Sequence, residues 1–459
     1  IKEGNTYFNI SNTSVIFPGF NETLTENYKF YYTIPVELSG LKFVLLPISV
    51  KIITIDSMEY QVLSERVRNL SESATLAMSR RSRELKAKGI DVINLSIGEP
   101  DFNTPECIKQ AAKEAIDNNF THYTPVSGIA ELRKAIAEKF MRDNDLHFEL
   151  ENIVVSNGAK QSIANTILCL VNEGDEVLVP SPYWVSYPEI VKLAGGKIVE
   201  LPARIDTDFK VTPQQLENAI TEKTKVFLFS SPCNPTGTVY SREELKALAD
   251  VFASYPNIFI ISDEIYEYIN FKGKHESIAR NEHLRDRVIV VNGVSKGYAM
   301  TGWRIGYIGA PALIAKACDI LQGQYTSGAS SIAQMASLKA VKEDPCKNEE
   351  MITMVDTFRE RRDLVIKMMN EIPGLKNNVP DGAFYIFPNI REYFGKSIGE
   401  RKIGNAIDFC MYLLEEAHVA TVPGSAFGNP DCIRVSYATS NALLTEALGR
   451  IKKALEKLK

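Results

Sequence analysis

The sequence predicts an α/β protein with a mostly parallel sheet covered by helices on both faces. Three observations predict it. From Ile153 to Ile308, short apolar runs alternate with helical stretches, the order that makes strand–helix–strand units. The runs are apolar almost throughout, as strands buried on both faces are. Asn234, Asp263, Ser295 and Lys296 each fall just after such a run, where open α/β sheets bind ligands.

The 459 residues leave room for two or three domains. Hydrophobic residues make up 45% and charged residues 24%, as in ordinary globular proteins. The net charge of −5 gives no basic field for nucleic acid. The seven cysteines, at 107, 169, 233, 318, 346, 410 and 432, are odd in number and lack metal-ligand spacing. They read as reduced thiols of a cytoplasmic enzyme, with no metal site. No apolar run reaches membrane length; the nearest, Leu41 to Ile55, is broken by Lys42 and Lys51. No membrane partner is expected.

The chemistry centres on the stretch from Val294 to Tyr307. Val288 to Val291 reads as a buried strand that turns through Asn292 and Gly293 and presents Ser295 and Lys296. Eight residues later, Arg304 opens another apolar run. An amine, a hydroxyl and a guanidinium held close together suit an aldehyde cofactor that carries a phosphate. The amine forms an imine, and the other two hold the phosphate. Taken alone, Lys296 reads as a surface lysine.

This stretch, the run Asn234-Pro235-Thr236-Gly237 and the run Pro182-Tyr183-Trp184 together resemble the pyridoxal-phosphate-dependent class I aminotransferases. The resemblance covers about Met58 to Lys459 and points to the bacterial aspartate aminotransferases of the aspartate/prephenate type. It implies a fold-type I transferase with pyridoxal 5'-phosphate as cofactor and a homodimer with shared active sites. It also implies a large cofactor-binding domain over 105–345 and a smaller α/β domain built from 58–104 and 346–459. Residues 1–57, rich in Asn, Thr, Tyr and Phe and without helical periodicity, read as an atypical extension, non-native or disordered. A chain starting at Met58 is expected to keep full activity; loss of folding or turnover on that truncation would refute the reading.

In chain order, Ser73 to Lys88 reads as a helix with Ser73 as N-cap and Gly89 as its stop. Its Arg80-Arg81-Ser82-Arg83 run reads as a solvated face. After the strand Val92 to Leu95, the loop Ser96 to Phe102 is turn-rich, and Gly98 lets another group approach the backbone. A tight turn would explain it equally; the resemblance sets Gly98 against the substrate carboxylate. Helices over Pro105 to Asn118 and Ile129 to Arg142 flank Tyr123. The resemblance sends Tyr123 across a dimer interface to the partner's cofactor phosphate; the alternative is an ordinary packed tyrosine.

The strand Ile153 to Ser156 runs through Asn157 and Gly158 into a helix ending at Leu170. A glycine turn at a helix start leaves N–H groups free and adds the helix dipole, so Gly158, Ala159 and Lys160 read as the phosphate cradle. In the subgroup it resembles, a lysine in this turn meets aspartate's distal carboxylate; the alternative for Lys160 is a solvated helix-start lysine. After the strand Val177 to Val179, Trp184 is a flat aromatic able to stack on the cofactor ring, or else a core residue.

The strand Val226 to Phe229 ends in a loop stiffened by Pro232 and Pro235 that aims the Asn234 amide. That amide can serve the cofactor's phenolic oxygen and the substrate carboxylate. After Ile258 to Ile261, Asp263 is a carboxylate at a buried strand end and needs a cation, the protonated ring nitrogen; its alternative is a helix cap. Tyr266 reaches the phenolic oxygen, and Glu264 reads as structural.

A helical region is expected from Leu313 through Met369, with solvated arginines over Phe358 to Met369. Strands follow at Phe384 to Phe387, Val419 to Val422 and Cys432 to Ala438, with helices at Ala406 to Ala417 and Ala442 to Leu458. Arg434, central in its strand, is costly unless paired. The family's arginine in this strand binds the substrate α-carboxylate; an internal salt bridge is the alternative.

The expected reaction moves an amino group from an amino acid, L-aspartate, to 2-oxoglutarate in two half-reactions, hence ping-pong kinetics. Prephenate, aromatic and alanine aminotransferases or a carbon–sulfur lyase would use the same cofactor residues. A pyridoxal-sensing regulator would need a DNA-binding module, and residues 1–57 carry neither helical periodicity nor a basic face.

Overall fold

A computed structural model of the chain describes residues 62–459 and two short strands, Lys29–Phe30 and Ile48–Ser49, which pair antiparallel. Apart from those strands, the extension read over 1–57 lies outside the described residues. The chain divides into two units, Ile1–Arg68 and Asn69–Lys459.

The second unit holds a seven-stranded sheet. Its strands are β1 (Ile153–Ser156), β2 (Glu176–Ser181), β3 (Lys197–Pro202), β4 (Thr224–Ser230), β5 (Phe259–Asp263), β6 (Val288–Gly293) and β7 (Gly306–Gly309). Their spatial order is β1-β7-β6-β5-β4-β2-β3. All neighbours pair parallel except β7, which runs antiparallel to both β1 and β6. The segment between β6 and β7 forms no crossover helix, only a 3₁₀ turn over Thr301–Trp303, and the chain reverses there. That segment carries Ser295, Lys296 and Arg304. β3 has no counterpart among the sequence expectations, because its edge position leaves Lys197 and Glu200 facing water and breaks the apolar run.

Helices cover both faces. On one lie α1 (Glu106–Asp117), α2 (Ala130–Asn144) and the helix Arg242–Phe252, burying Ile108, Leu132, Ile136, Phe140, Leu248 and Phe252. On the other lies α3 (Ala159–Leu170), burying Ile163 and Ile167 against Val177, Val226 and Ile289. Each such side chain contributes about 1.5–3 kcal/mol by leaving water.

A third core joins Met78 of the helix Ala74–Ala87 to Phe358, Val365, Phe409, Leu448 and Ile451. Over it lies a three-stranded antiparallel sheet of Tyr385–Ile386, Ile433–Ser436 and Val422–Pro423. The single strand expected over Val419 to Val422 is divided at Thr421. Val419–Ala420 pairs parallel with Ile93–Asn94, while Val422–Pro423 pairs with the strand of Arg434.

Two further expectations need correction. The helical region from Leu313 is three helices, Ala312–Tyr325, Ser331–Lys342 and α4 (Glu349–Asn370). It breaks at Ser327, whose φ is +60°, and around Pro345. The arginines of α4 are not all solvated. Arg361 is 7% exposed, forks onto Asp101 at 2.6 and 2.9 Å, and lies over the Phe102 and Phe358 rings. Charge periodicity read α4 as solvated there because Asp101 is distant in sequence. The Arg80, Arg81 and Arg83 face is exposed as expected, while Ser82 turns inward.

Candidate active site

At the carboxyl end of the sheet a cleft of about 380 Å³ is lined by Gly98, Ala159, Lys160, Trp184, Asn234, Asp263, Tyr266, Ser295, Lys296, Arg304 and Arg434, among others. Residues far apart in sequence thus share one space. Tyr123 is not among them; it stands fully exposed on the surface of the chain.

Lys296 is half-buried, and its Nζ donates to the Gly98 carbonyl at 2.5 Å. Burial, then the Arg434 guanidinium, pull its pKa down to about 8. Asp263 is pushed the other way, up to about 6, by burial, against the hydrogen bonds that Tyr187 Oη (2.7 Å) and Ile265 N–H (3.3 Å) donate to it. Among the described residues no cation lies within ion-pair distance of this carboxylate, so it is placed for a cationic partner in the cleft. Glu264 points elsewhere and takes hydrogen bonds from Ser262 and Ser277 and a 2.9 Å contact from His275.

Arg434 is 1% exposed, and among the described residues no carboxylate pairs with it. Its Nη1 donates to Asn234 Oδ1 at 2.9 Å and its Nη2 to the Ser96 carbonyl at 2.7 Å, while Nε is buried without a partner. The internal salt bridge is therefore not formed. Because a guanidinium only donates, Asn234 must turn its oxygen to Arg434, which leaves its NH₂ for the cleft. Lys160 Nζ lies 5.0 Å from the Trp184 ring centroid, and burial, then Arg304, lower its pKa.

Gly158 has φ +82°, and a Cβ there would collide with the Arg304 guanidinium. A Cβ on Gly306 would strike the backbone of Gly158 and Ala159. These two glycines let β7 and Arg304 close on the first turn of α3, whose leading N–H groups have no partner within the helix. Ser295 and Arg304 share the cleft with that turn, as an anion cradle requires.

Sequence reasoning missed two residues here. Tyr187, which holds Asp263, stands three residues after Trp184, and a buried carboxylate's need for a donor was the available signal. Tyr385 packs under Arg434, with the guanidinium carbon 4.5 Å from its ring centroid. Only sheet pairing brings it there, so no local signal existed.

A half-buried amine, an anion cradle and a carboxylate awaiting a cation define a site for an aldehyde that carries a phosphate and a basic ring. Residues 90–451 match the family model for aminotransferase class I and II, and the chain belongs to that family. It is 46% identical over 397 residues to the aspartate/prephenate aminotransferase of Nitrosomonas europaea, covering 86% of this chain and 99% of the relative. It is likewise 46% identical over 397 residues to the aspartate aminotransferase of Bacillus subtilis, with the same coverage. The crystal structure of the Rhizobium meliloti aspartate aminotransferase superposes with a TM-score of 0.83 at 43% identity, over 86% of this chain and 99% of that one. The chain is accordingly a pyridoxal-phosphate-dependent aminotransferase acting on amino and 2-oxo acids. The unpaired Arg434 Nε, the lone Asp263 carboxylate and the glycine-shaped cradle fit that cofactor and a carboxylate substrate. Among the described residues no helix is long and apolar enough to cross a membrane.

Proposed function

We propose that the chain transfers the amino group of L-aspartate to 2-oxoglutarate at this cleft, by a ping-pong mechanism. One observation carries the choice of a dicarboxylate: two cations, Arg434 and Lys160, line a single cleft, and among the described residues neither pairs with a carboxylate. A substrate with a carboxylate at each end answers both. Prephenate, a 2-oxo acid with two carboxylates, is the second reading, favoured by the Nitrosomonas relative's name.

When bound, pyridoxal phosphate supplies an aldehyde that condenses with amines and a ring that accepts electrons. Lys296 would hold it covalently; once an incoming amino acid frees the Lys296 amine, that neutral amine would take and redeliver the substrate Cα proton. Arg434 forks onto the α-carboxylate beside Gly98, and Asn234 donates to it and to the phenolic oxygen. Tyr266 donates to that oxygen, Asp263 keeps the ring nitrogen protonated, and Trp184 stacks on the ring. The N–H groups of Ala159 and Lys160, with Ser295 and Arg304, hold the phosphate; Gly158, whose own N–H donates to the Ser156 carbonyl, leaves room for Arg304 to close on them, and Lys160 Nζ takes the distal carboxylate.

The reading includes a homodimer in which Tyr123 reaches the partner's phosphate, supported by its full exposure and by exposed Leu313, Ile320 and Tyr325. It also includes a large domain over 105–345 and a small one from 58–104 and 346–459, supported by one core drawn mostly from the former and another drawn mostly from the latter. Seven free cysteines support a reducing, cytoplasmic setting.

Lys160→Ala tests the substrate choice. KM for aspartate and glutamate should rise about tenfold to a hundredfold, the worth of one charged hydrogen bond, with that for alanine little changed. Equal changes for all three amino acids would remove Lys160 from distal-carboxylate binding.

A further inference from the structure

We propose that Tyr385 is a positioning residue that acts through Tyr266: its hydroxyl donates to Tyr266 Oη and so commits the Tyr266 proton to the cleft. The two hydroxyls lie 2.8 Å apart, both buried, and either oxygen could be the donor. A tyrosine has one proton to give, so the direction of this bond decides where the other hydroxyl points. Two features set that direction. The Arg434 guanidinium lies on the Tyr385 ring, 4.5 Å from its centroid, and draws electron density away from that hydroxyl. Arg434 acts on Tyr266 too, but less than on Tyr385, and the cation over the Tyr266 ring, Lys296 Nζ, is farther from its centroid, at 5.7 Å. Tyr385 is thus the better donor and the poorer acceptor. The inference rests on the reading above that Tyr266 donates to the cofactor's phenolic oxygen.

Local packing leaves Tyr385 few other roles. A Cβ added to Gly98 would meet Tyr385 Oη at 2.8 Å, so the loop before Lys296's acceptor closes directly over this hydroxyl. Its strand pairs Tyr385 with Ser436, two residues from Arg434, which fixes the ring against the guanidinium. A hydroxyl that receives a hydrogen bond becomes a stronger donor, so Tyr266 holds a phenolate oxygen more firmly with Tyr385 in place than without it.

The test is a pH titration of the visible absorbance of the pyridoxal-phosphate-loaded full chain. A stronger donor favours the deprotonated form of the bound chromophore, so Tyr385→Phe should raise the midpoint by roughly a third of a pH unit, given cooperative strengthening of 10–30%. The phenyl ring remains under Arg434, so KM for aspartate should hold. Tyr266→Phe should raise the midpoint further, and the double variant should match Tyr266→Phe alone, because Tyr385 has nothing left to act through. A midpoint moved by Tyr266→Phe but not by Tyr385→Phe overturns the proposal, as do additive shifts in the double variant. A midpoint unmoved by Tyr266→Phe overturns the reading of Tyr266 and the proposal with it.

Discussion

Replacing Lys296 by alanine should abolish turnover. Loss of proton transfer alone removes about 10² to 10⁴ in rate, and loss of the covalent link removes more. The purified variant should also lose the imine absorbance, and borohydride should fix no cofactor to it. The pH dependence carries a sign. In the protein stripped of cofactor, burial and Arg434 hold the Lys296 pKa at about 8, below its ordinary value of 10.5. Below about 8 the group is mostly ammonium and cannot attack an aldehyde. Capture of pyridoxal phosphate should therefore quicken as pH rises toward 8 and level off above it. The same shift destabilises the stripped protein in full below about pH 8, and that penalty fades as pH climbs to 10.5. A capture rate flat through pH 8, or normal turnover by Lys296→Ala, would remove the amine from its role.

The second large effect is expected at Arg434. Lysine there keeps one positive charge but loses the fork that fits a carboxylate in two places. Disturbing a buried, hydrogen-bonded charge contact of this kind costs about 2–5 kcal/mol, so Arg434→Lys should lower kcat/KM by about one and a half to three and a half orders of magnitude. Every amino acid carries the α-carboxylate, so aspartate, glutamate and alanine should suffer alike. Lys160→Ala, by contrast, should separate them. A kcat/KM loss at Arg434 confined to dicarboxylates would exchange the two assignments.

The cleft residues were legible to different degrees. Lys296, Asp263 and Asn234 were legible because each follows a run of strand-forming residues, and strand ends in such sheets face the ligand. Gly158 was legible because a glycine between a strand and a helix has one common use. Arg361 was misread for lack of any local sign that Asp101 waits across the fold. Tyr187 was hidden among other aromatics, and Tyr385 was invisible because its partners are residues 98, 266 and 434. The break at Ser327 was missed although Gly328, directly after it, marks a turn in the sequence.

The sequence alone determined the alternation of strands and helices, the apolar faces that bury them, and the residue types at each strand end, because periodicity and turn chemistry act over a few neighbouring residues. Only the tertiary structure decided that a lysine, an aspartate, an arginine and two tyrosines share one cleft. Burial and mutual charge act through distance, not through sequence separation, and they moved Lys296 down to about 8 and Asp263 up to about 6.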